Sequence, residues 1–262
     1  MTDTALISGF VENGYALLPG AFTPKVARPH ALRAIERFKA LPPRTLRDGA
    51  APLGVTLPHE NGFPLRDLSP AAYDLVVRLV GGEERLGEGV LSVSDGFVVA
   101  PPDPRPWIAP NAVDFGWHID GDGEALRTID SPEVGLILYA LWSDTAPRGG
   151  GTFFAPGALP ALARHLFLSP QGRRKSDLPY ELCLRAAKPD PGYFEMTGKA
   201  GTMLVTHSLM IHAASRNSSA KPRLLSARTV PLRLPLKLEG VGGGSTPLER
   251  ATLRALEKAV DR

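Results

Sequence analysis

The chain has 262 residues, 30 Lys and Arg against 27 Asp and Glu, and a hydrophobic fraction of 43%, a balance that suits a globular protein built as one large β-domain or two small ones. No apolar run nears the roughly 20 residues of a membrane helix, and the formal net charge of +3 is spread along the chain without a basic block. With neither a membrane-length apolar run nor a basic block, neither a membrane nor a nucleic acid is an expected partner, and a single cysteine, Cys183, excludes an internal disulfide and a thiolate-rich metal site. Met1-Thr2-Asp3-Thr4-Ala5 has neither the basic nor the apolar region of a signal peptide, and the expected location is cytoplasmic.

Gly9 to Gly20 reads as a turn followed by a short strand. Thr23-Pro24 supplies an N-cap and a first-turn proline for a helix that Pro29 is expected to break or kink. Leu32, Ile35, Phe38 and Leu41 recur at helical spacing, so a second helical piece is expected to pack through that face. Pro42 to Pro64 reads mostly as loop. An amphipathic helix is predicted over Pro70 to Val80, then a strand over Leu91 to Ala100 that Pro101-Pro102 ends. Pro101 to Trp117 holds five prolines and reads as a long irregular loop leading into a site.

Val134 to Trp142 is almost unbroken apolar sequence, as in a strand buried on both faces. Further strands are predicted at Gly151 to Phe154, Tyr193 to Met196, Thr202 to His207, Leu209 to Ala213 and Leu224 to Leu234, with one helix, Leu159 to Leu166, among them. Many short strands with Gly/Pro punctuation give a mainly β jelly roll flanked by α-helices. Gly242-Gly243-Gly244-Ser245 reads as a flexible link. Thr246-Pro247-Leu248-Glu249 is a capping-box pattern that opens a terminal helix. Its stripe, Leu248, Leu253, Leu256 and Val260, is expected to dock on its own domain, the alternative being a second subunit. Residues 1–262 are read as one domain, with 240–262 as link plus C-terminal helix, in a monomer or homodimer.

Trp117-His118-Ile119-Asp120-Gly121 carries the chemistry. In a strand His118 and Asp120 share one face while Ile119 points the other way, although ordinary surface strands show this spacing too. Gly201 to His212 offers two candidates for a third ligand, His207 and His212, which cannot share a face of one regular strand. His212 is favoured, because the turn formers of Ser215 to Pro222 should send the chain back antiparallel and bring Arg223 beside it. His207 is then read as structural. Two imidazoles and one carboxylate with open positions form the donor set of non-heme iron(II) sites. A guanidinium beside them suits a ligand that chelates the metal at one end and offers a carboxylate at the other. Arg173-Arg174-Lys175 reads as solvated surface, with contact to an anionic substrate as the alternative.

These residues resemble the phytanoyl-CoA dioxygenase family of iron(II)- and 2-oxoglutarate-dependent oxygenases. In that family the distal histidine is followed five residues later by asparagine and eleven later by arginine, the offsets at which Asn217 and Arg223 stand from His212. Leu141-Trp142-Ser143-Asp144, Gly149-Gly150-Gly151-Thr152 and Ala155-Pro156-Gly157 are similar to the family's strand, loop and Pro-Gly turn, and Gly14-Tyr15 matches loosely. The resemblance spans most of residues 8 to 234. It departs at Ala158-Leu159, where serine and histidine usually follow the turn, and at Ala214, often a serine.

The resemblance implies a double-stranded β-helix (cupin-like) core with His118, Asp120 and His212 as ligands of Fe(II). Arg223 would bind the far carboxylate of the co-substrate 2-oxoglutarate and O2 would take an open position; with Ala214 in place of the serine, Thr152 is the remaining hydroxyl for a second contact, a plain strand-forming threonine being the alternative. The implied activity is that of an oxidoreductase, a dioxygenase that hydroxylates a small-molecule substrate of secondary metabolism and releases succinate and CO2. Asp120 argues against halogenation, since the related halogenases replace this carboxylate with a small residue. Trp117, Phe115 and Trp107 are read as substrate wall or as core, and no catalytic residue is assigned beyond the metal site. A non-catalytic jelly-roll protein that binds metal or a small carboxylate is the alternative, and a metal-dependent isomerase or hydrolase, with no need of Arg223, the third reading.

Overall fold

The computed structural model describes residues 3–42, 53–187, 192–239 and 244–260. Gly242 and Gly243 of the expected link, and 43–52 of the expected loop, lie outside the described residues. The chain runs α1 (Asp3–Asn13), β1 (Tyr15–Leu18), α2 (Pro24–Lys39), β2 (Val55–Thr56), β3 (Gly62–Pro64), α3 (Leu65–Leu68), α4 (Pro70–Val80), β4 (Ser92–Ser94) and β5 (Val98–Ala100). After the proline-rich segment come β6 (Leu136–Leu141), β7 (Phe153–Phe154), α5 (Leu159–Phe167), α6 (Tyr180–Arg185), β8 (Phe194–Glu195), β9 (Met203–His207), β10 (His212–Ala213), β11 (Arg223–Val230) and α7 (Pro247–Val260).

A large antiparallel sheet has the order β1-β9-β6-β11-β5-β2, a smaller one the order β10-β7-β8, and β3 pairs with β4. One further bridge, His118 to His212, adds the His-x-Asp segment to the β10 edge of the smaller sheet. Every residue of β6 is buried, and side-chain alternation sends its two halves into different cores. Ile137, Tyr139 and Leu141 meet Phe154, Met196, Leu204 and Leu225 between the sheets. Leu136, Leu138 and Ala140 join Phe10 of α1 with Leu75, Val76 and Leu79 of α4. Phe153 turns away from Phe154, toward Leu159, Leu162 and Leu166 of α5. The order through the molecule is therefore helices, large sheet, small sheet, helices. Each large apolar side chain sealed in these cores contributes roughly 1.5–3 kcal/mol.

Several elements differ from the sequence reading. The turn expected from Gly9 is the last part of α1, held by the fully buried Phe10. Gly14, at φ 75°, then ends the helix where a Cβ would press on Leu159. Pro29 leaves α2 in one piece. Its ring fixes φ in the helical range, and the cost is the single bond that an amide at residue 29 would have donated to the Lys25 carbonyl. Leu32 is exposed, and α2 packs through Ala27 and Ala34 with Ile35, Phe38 and Leu41. The expected Leu91–Ala100 strand is split at Asp95, whose carboxylate turns away to accept from the Glu60 and Asn61 amides (2.8 and 2.7 Å). β2 and β3 lie within the expected loop, and α6 was not expected. The capping box forms as read: Thr246 Oγ1 accepts from the Glu249 amide (3.2 Å) and Glu249 Oε2 from the Thr246 amide (3.1 Å). The buried stripe of α7 is Leu248, Ala251, Thr252, Ala255 and Ala259, with Val260 exposed. These small residues bring α7 close against α1 and α5. No helix among the described residues is long and apolar enough to cross a membrane.

Candidate metal centre

His118 and His212 are directly opposite on neighbouring segments and exchange both backbone hydrogen bonds, at 3.0 and 2.9 Å. The pairing sets their rings 4.4 Å apart, and alternation puts Asp120 on the same side. Each imidazole is turned by its own backbone: His118 Nδ1 faces the Gly116 carbonyl (2.8 Å) and His212 Nδ1 the Met210 carbonyl (3.0 Å). With the proton assigned to Nδ1, both Nε2 atoms carry lone pairs. They converge on Asp120 Oδ1, 3.8 Å from His118 and 3.6 Å from His212. The three ligand atoms lie within 4.8 Å of one another, and small side-chain rotations bring such a set onto one cation with bonds of about 2.1 Å.

Electrostatics favours the deprotonated set that a metal requires. Burial, with the neighbouring His212 second, lowers the His118 pKa and keeps that ring neutral. Burial pulls the Asp120 carboxyl upward, but His212, His118 and Lys175 together outweigh it and hold the pKa below the usual range. The His212 side chain is 6% exposed and that of His118 43%, so the centre opens toward solvent on the His118 side.

The other candidates separate by face. Arg223 does not return beside β10 in a hairpin; the turn after His212 carries the chain across to the large sheet, where Arg223 pairs with Ala100. Alternating with Leu224, which joins the helix-side core, Arg223 shares the inner face with Leu225. The residue is 2% exposed. Its Nε donates to the Gly150 carbonyl (2.6 Å) and its Nη1 to that of Val98 (3.1 Å), leaving Nη2 without a partner among the described residues. Burial lowers its pKa to about 10, with the charge of Glu195 opposing the shift, and the group stays cationic at neutral pH. Asn217 ties down the intervening turn, donating to the carbonyls of Ala100 and Lys221 at 2.8 Å. Thr152 is buried just before β7, on the Phe154 side by alternation.

His207 lies apart from the metal centre. Its Nδ1 accepts from the Leu209 amide (3.0 Å), so Nε2 donates to Thr252 Oγ1 (2.9 Å) on α7. Trp117 shares the face of Ile119, opposite His118, and packs with Phe115 and Trp107 around Phe153 in the core beneath α5. Trp117 is buried in this core, and Trp107 and Phe115 are half-buried against it. Cys183 is a buried thiol whose pKa burial pushes up to about 11, an unreactive structural position.

Sequence reading missed the roles of four side chains that hold the centre. Tyr139 is 2% exposed on the inner face of β6, its hydroxyl 3.4 Å from Asp120 Oδ2 and 3.3 Å from His212 Nε2. The available signal was a lone phenol in the aliphatic run Leu136–Leu141, since a buried tyrosine hydroxyl needs a partner. Arg127 Nη1 donates to the Asp120 carbonyl (3.3 Å) and Lys175 Nζ to that of Gly121 (2.9 Å). Tyr180 Oη accepts from the Ile119 amide at 3.5 Å. Of the basic cluster Arg173-Arg174-Lys175, Lys175 thus turns back onto the metal motif, while Arg173 Nε donates to Ser169 Oγ (3.2 Å).

Two facing antiparallel sheets, clad in helices and carrying at the edge of the smaller sheet two histidines and a carboxylate that could hold a metal ion, define a β-rich fold. This fold is shared with solved structures. The non-heme alpha ketoglutarate dependent carbocyclase SnoK from nogalamycin biosynthesis is 16% identical over 88% of this chain and 86% of that one, with a TM-score of 0.51. AviO1 from Streptomyces viridochromogenes Tue57 is 16% identical over 89% and 97%, with a TM-score of 0.54. EvdO2 from Micromonospora carbonacea var. aurantiaca is 16% identical over 90% and 92%, with a TM-score of 0.51. At such identity the likeness is one of fold. No protein-family model and no curated protein matches the chain.

Proposed function

We propose that the protein is an Fe(II)- and 2-oxoglutarate-dependent dioxygenase acting on a small-molecule substrate. The observation that carries this reading is the convergence of His118 Nε2, His212 Nε2 and Asp120 Oδ1 between the same two sheets as a buried cationic Arg223 with one donor unengaged. The alternation of the chain between the sheets, from β5 through the His118 segment to β11, is the order of a double-stranded β-helix. Two neighbours of the same fold support the donor reading: EvdO2 has been solved with 2-oxoglutarate, and the epimerase SnoN with Fe3+, alpha ketoglutarate and nogalamycin RO. Kinship with the phytanoyl-CoA dioxygenase family rests on the spacing of His118, Asp120, His212, Asn217 and Arg223.

In this reading His118, Asp120 and His212 hold the metal. Bound iron(II), with 2-oxoglutarate and O2, supplies an oxidative decarboxylation to succinate and CO2 coupled to oxidation of a substrate C–H bond. Arg223 holds the far carboxylate of the co-substrate, its guanidinium aimed by the carbonyls of Gly150 and Val98, and Thr152 offers a hydroxyl on the same side. Phe154, Leu204, Met210 and Leu225 line the inter-sheet space with apolar surface and exclude water. Substrate enters on the exposed His118 side. Hydroxylation is the simplest outcome, and the carbocyclase and epimerase among the neighbours show that the fold accommodates other products.

Purified protein given iron(II), ascorbate and 2-oxoglutarate is expected to release succinate, at least by slow uncoupled turnover, and Asp120→Ala to abolish most of it. Iron binding without succinate across a broad substrate panel would replace this reading with that of a metal-binding protein.

A further inference from the structure

We infer that Tyr139 is a positioning residue of the metal centre, its phenol donating to Asp120 Oδ2 so that the carboxylate grips a divalent cation through Oδ1 alone. The inference rests on the metal-centre reading of His118, Asp120 and His212. Packing alone does not account for a tyrosine here. Its neighbours on the inner face of β6 are Ile137 and Leu141, and a hydroxyl buried without an acceptor destabilises the fold. The ring is fixed edge-on against Phe154 at 4.9 Å and against His212 at 5.6 Å. Its hydroxyl therefore has little freedom, and its acceptors among the described residues are Asp120 Oδ2 (3.4 Å) and His212 Nε2 (3.3 Å). Both distances exceed the roughly 2.7–2.8 Å of a full hydroxyl bond, as expected of one proton facing two acceptors.

A cation resolves that competition. His212 commits its Nδ1 proton to the Met210 carbonyl, so the Nε2 lone pair goes to the metal and is lost to the phenol. The acceptor then left to Tyr139 among the described residues is Asp120 Oδ2. Oδ1 is already the oxygen turned to both imidazoles. The two oxygens of one carboxylate thus have separate partners, metal and phenol, and swinging Oδ2 into the metal's shell would break the phenol bond. A monodentate carboxylate leaves one more coordination position for exogenous ligands than a bidentate one.

The test uses Co(II), which reports coordination through its visible absorption, titrated calorimetrically into the wild-type chain, Tyr139→Phe and Asp120→Ala. The wild type is expected to bind one Co(II) and Asp120→Ala to bind it far more weakly. Tyr139→Phe keeps the ring and should lose about 10-fold in affinity, within the 10–100-fold range of groups that orient metal ligands, with an altered Co(II) spectrum. Unchanged affinity and spectrum in a folded Tyr139→Phe would make Tyr139 a packing residue and overturn the inference. A wild type that binds no Co(II) would overturn the metal-centre reading itself. If Tyr139→Phe does not fold, the infrared difference spectrum of the wild type on adding Co(II) decides: the wide carboxylate splitting of a monodentate ligand is expected, and a narrow bidentate splitting refutes the inference.

Discussion

Replacing Arg223 with lysine separates the two tasks assigned to this side chain. The guanidinium spends Nε on Gly150 and Nη1 on Val98, at 2.6 and 3.1 Å, and keeps Nη2 free. A lysine ammonium has donors on one atom only and cannot serve both carbonyls and a ligand in that geometry. One buried carbonyl then loses its donor, at about 1–3 kcal/mol of folding stability. The carboxylate of 2-oxoglutarate keeps a positive charge nearby but loses a charge-assisted hydrogen bond of about 1.5–3 kcal/mol, which is about 10- to 150-fold in Kd. Urea unfolding measures the first loss, and titration of 2-oxoglutarate into Co(II)-loaded protein the second. Co(II) affinity itself should not change, because Arg223 contacts none of the three ligands among its recorded partners. A folded Arg223→Lys that binds 2-oxoglutarate as tightly as the wild type would remove Arg223 from the site.

Glu249→Ala should destabilise the fold by about 3–5 kcal/mol: the fully buried carboxylate accepts from Arg85 Nη2, the Lys237 and Thr246 amides and Ser245 Oγ, all left without it. A urea-measured loss below about 1 kcal/mol would mean that this helix cap is effectively solvated. His207 gives a pH dependence, since burial, with Arg127 second, lowers its pKa to about 3. The native chain excludes the proton that the unfolded chain takes up below about pH 6.5. This contribution is therefore flat above 6.5, and stability falls toward pH 3 by at most about 1.4 kcal/mol per pH unit. Denaturation at pH 7, 6 and 5 should show a shallower slope in His207→Gln, and an identical slope would assign the acid sensitivity to other groups.

The candidate ligands were legible in part because strand alternation is local: the spacing of His118 and Asp120 puts both on one face, a spacing that ordinary surface strands share, and the same rule places Trp117 on the opposite face. Arg223 was recognisable by its offset from His212, but its route was not. Turn formers between them announce a reversal without saying which sheet the chain enters, and it is the register of Leu225 against Leu141 that draws β11 into the large sheet. Tyr139 was visible as a phenol in an apolar strand, whereas its orientation toward the metal depends on how one sheet lies over the other. β2, β7, β8 and β10 have two residues each, too few for a period. They exist because longer neighbours supply their hydrogen bonds. The α7 stripe was read in part: Leu248 is buried and Leu256 packs against the core, but small residues, Ala251, Ala255 and Ala259, do much of the packing and Val260 is exposed.

The strip of backbone that bears Asp120 has a sheet neighbour on one side only, through the His118–His212 pair. On its free side Tyr180, Arg127 and Lys175 take up the Ile119 amide and the carbonyls of Asp120 and Gly121, a substitute neighbour assembled from side chains. Such an edge offers little to a foreign strand seeking to extend the sheet, and so guards this border against edge-to-edge aggregation. Side-chain props also yield more easily than a hydrogen-bonded ladder, so Asp120 is left more room for small travel than the β-core behind it.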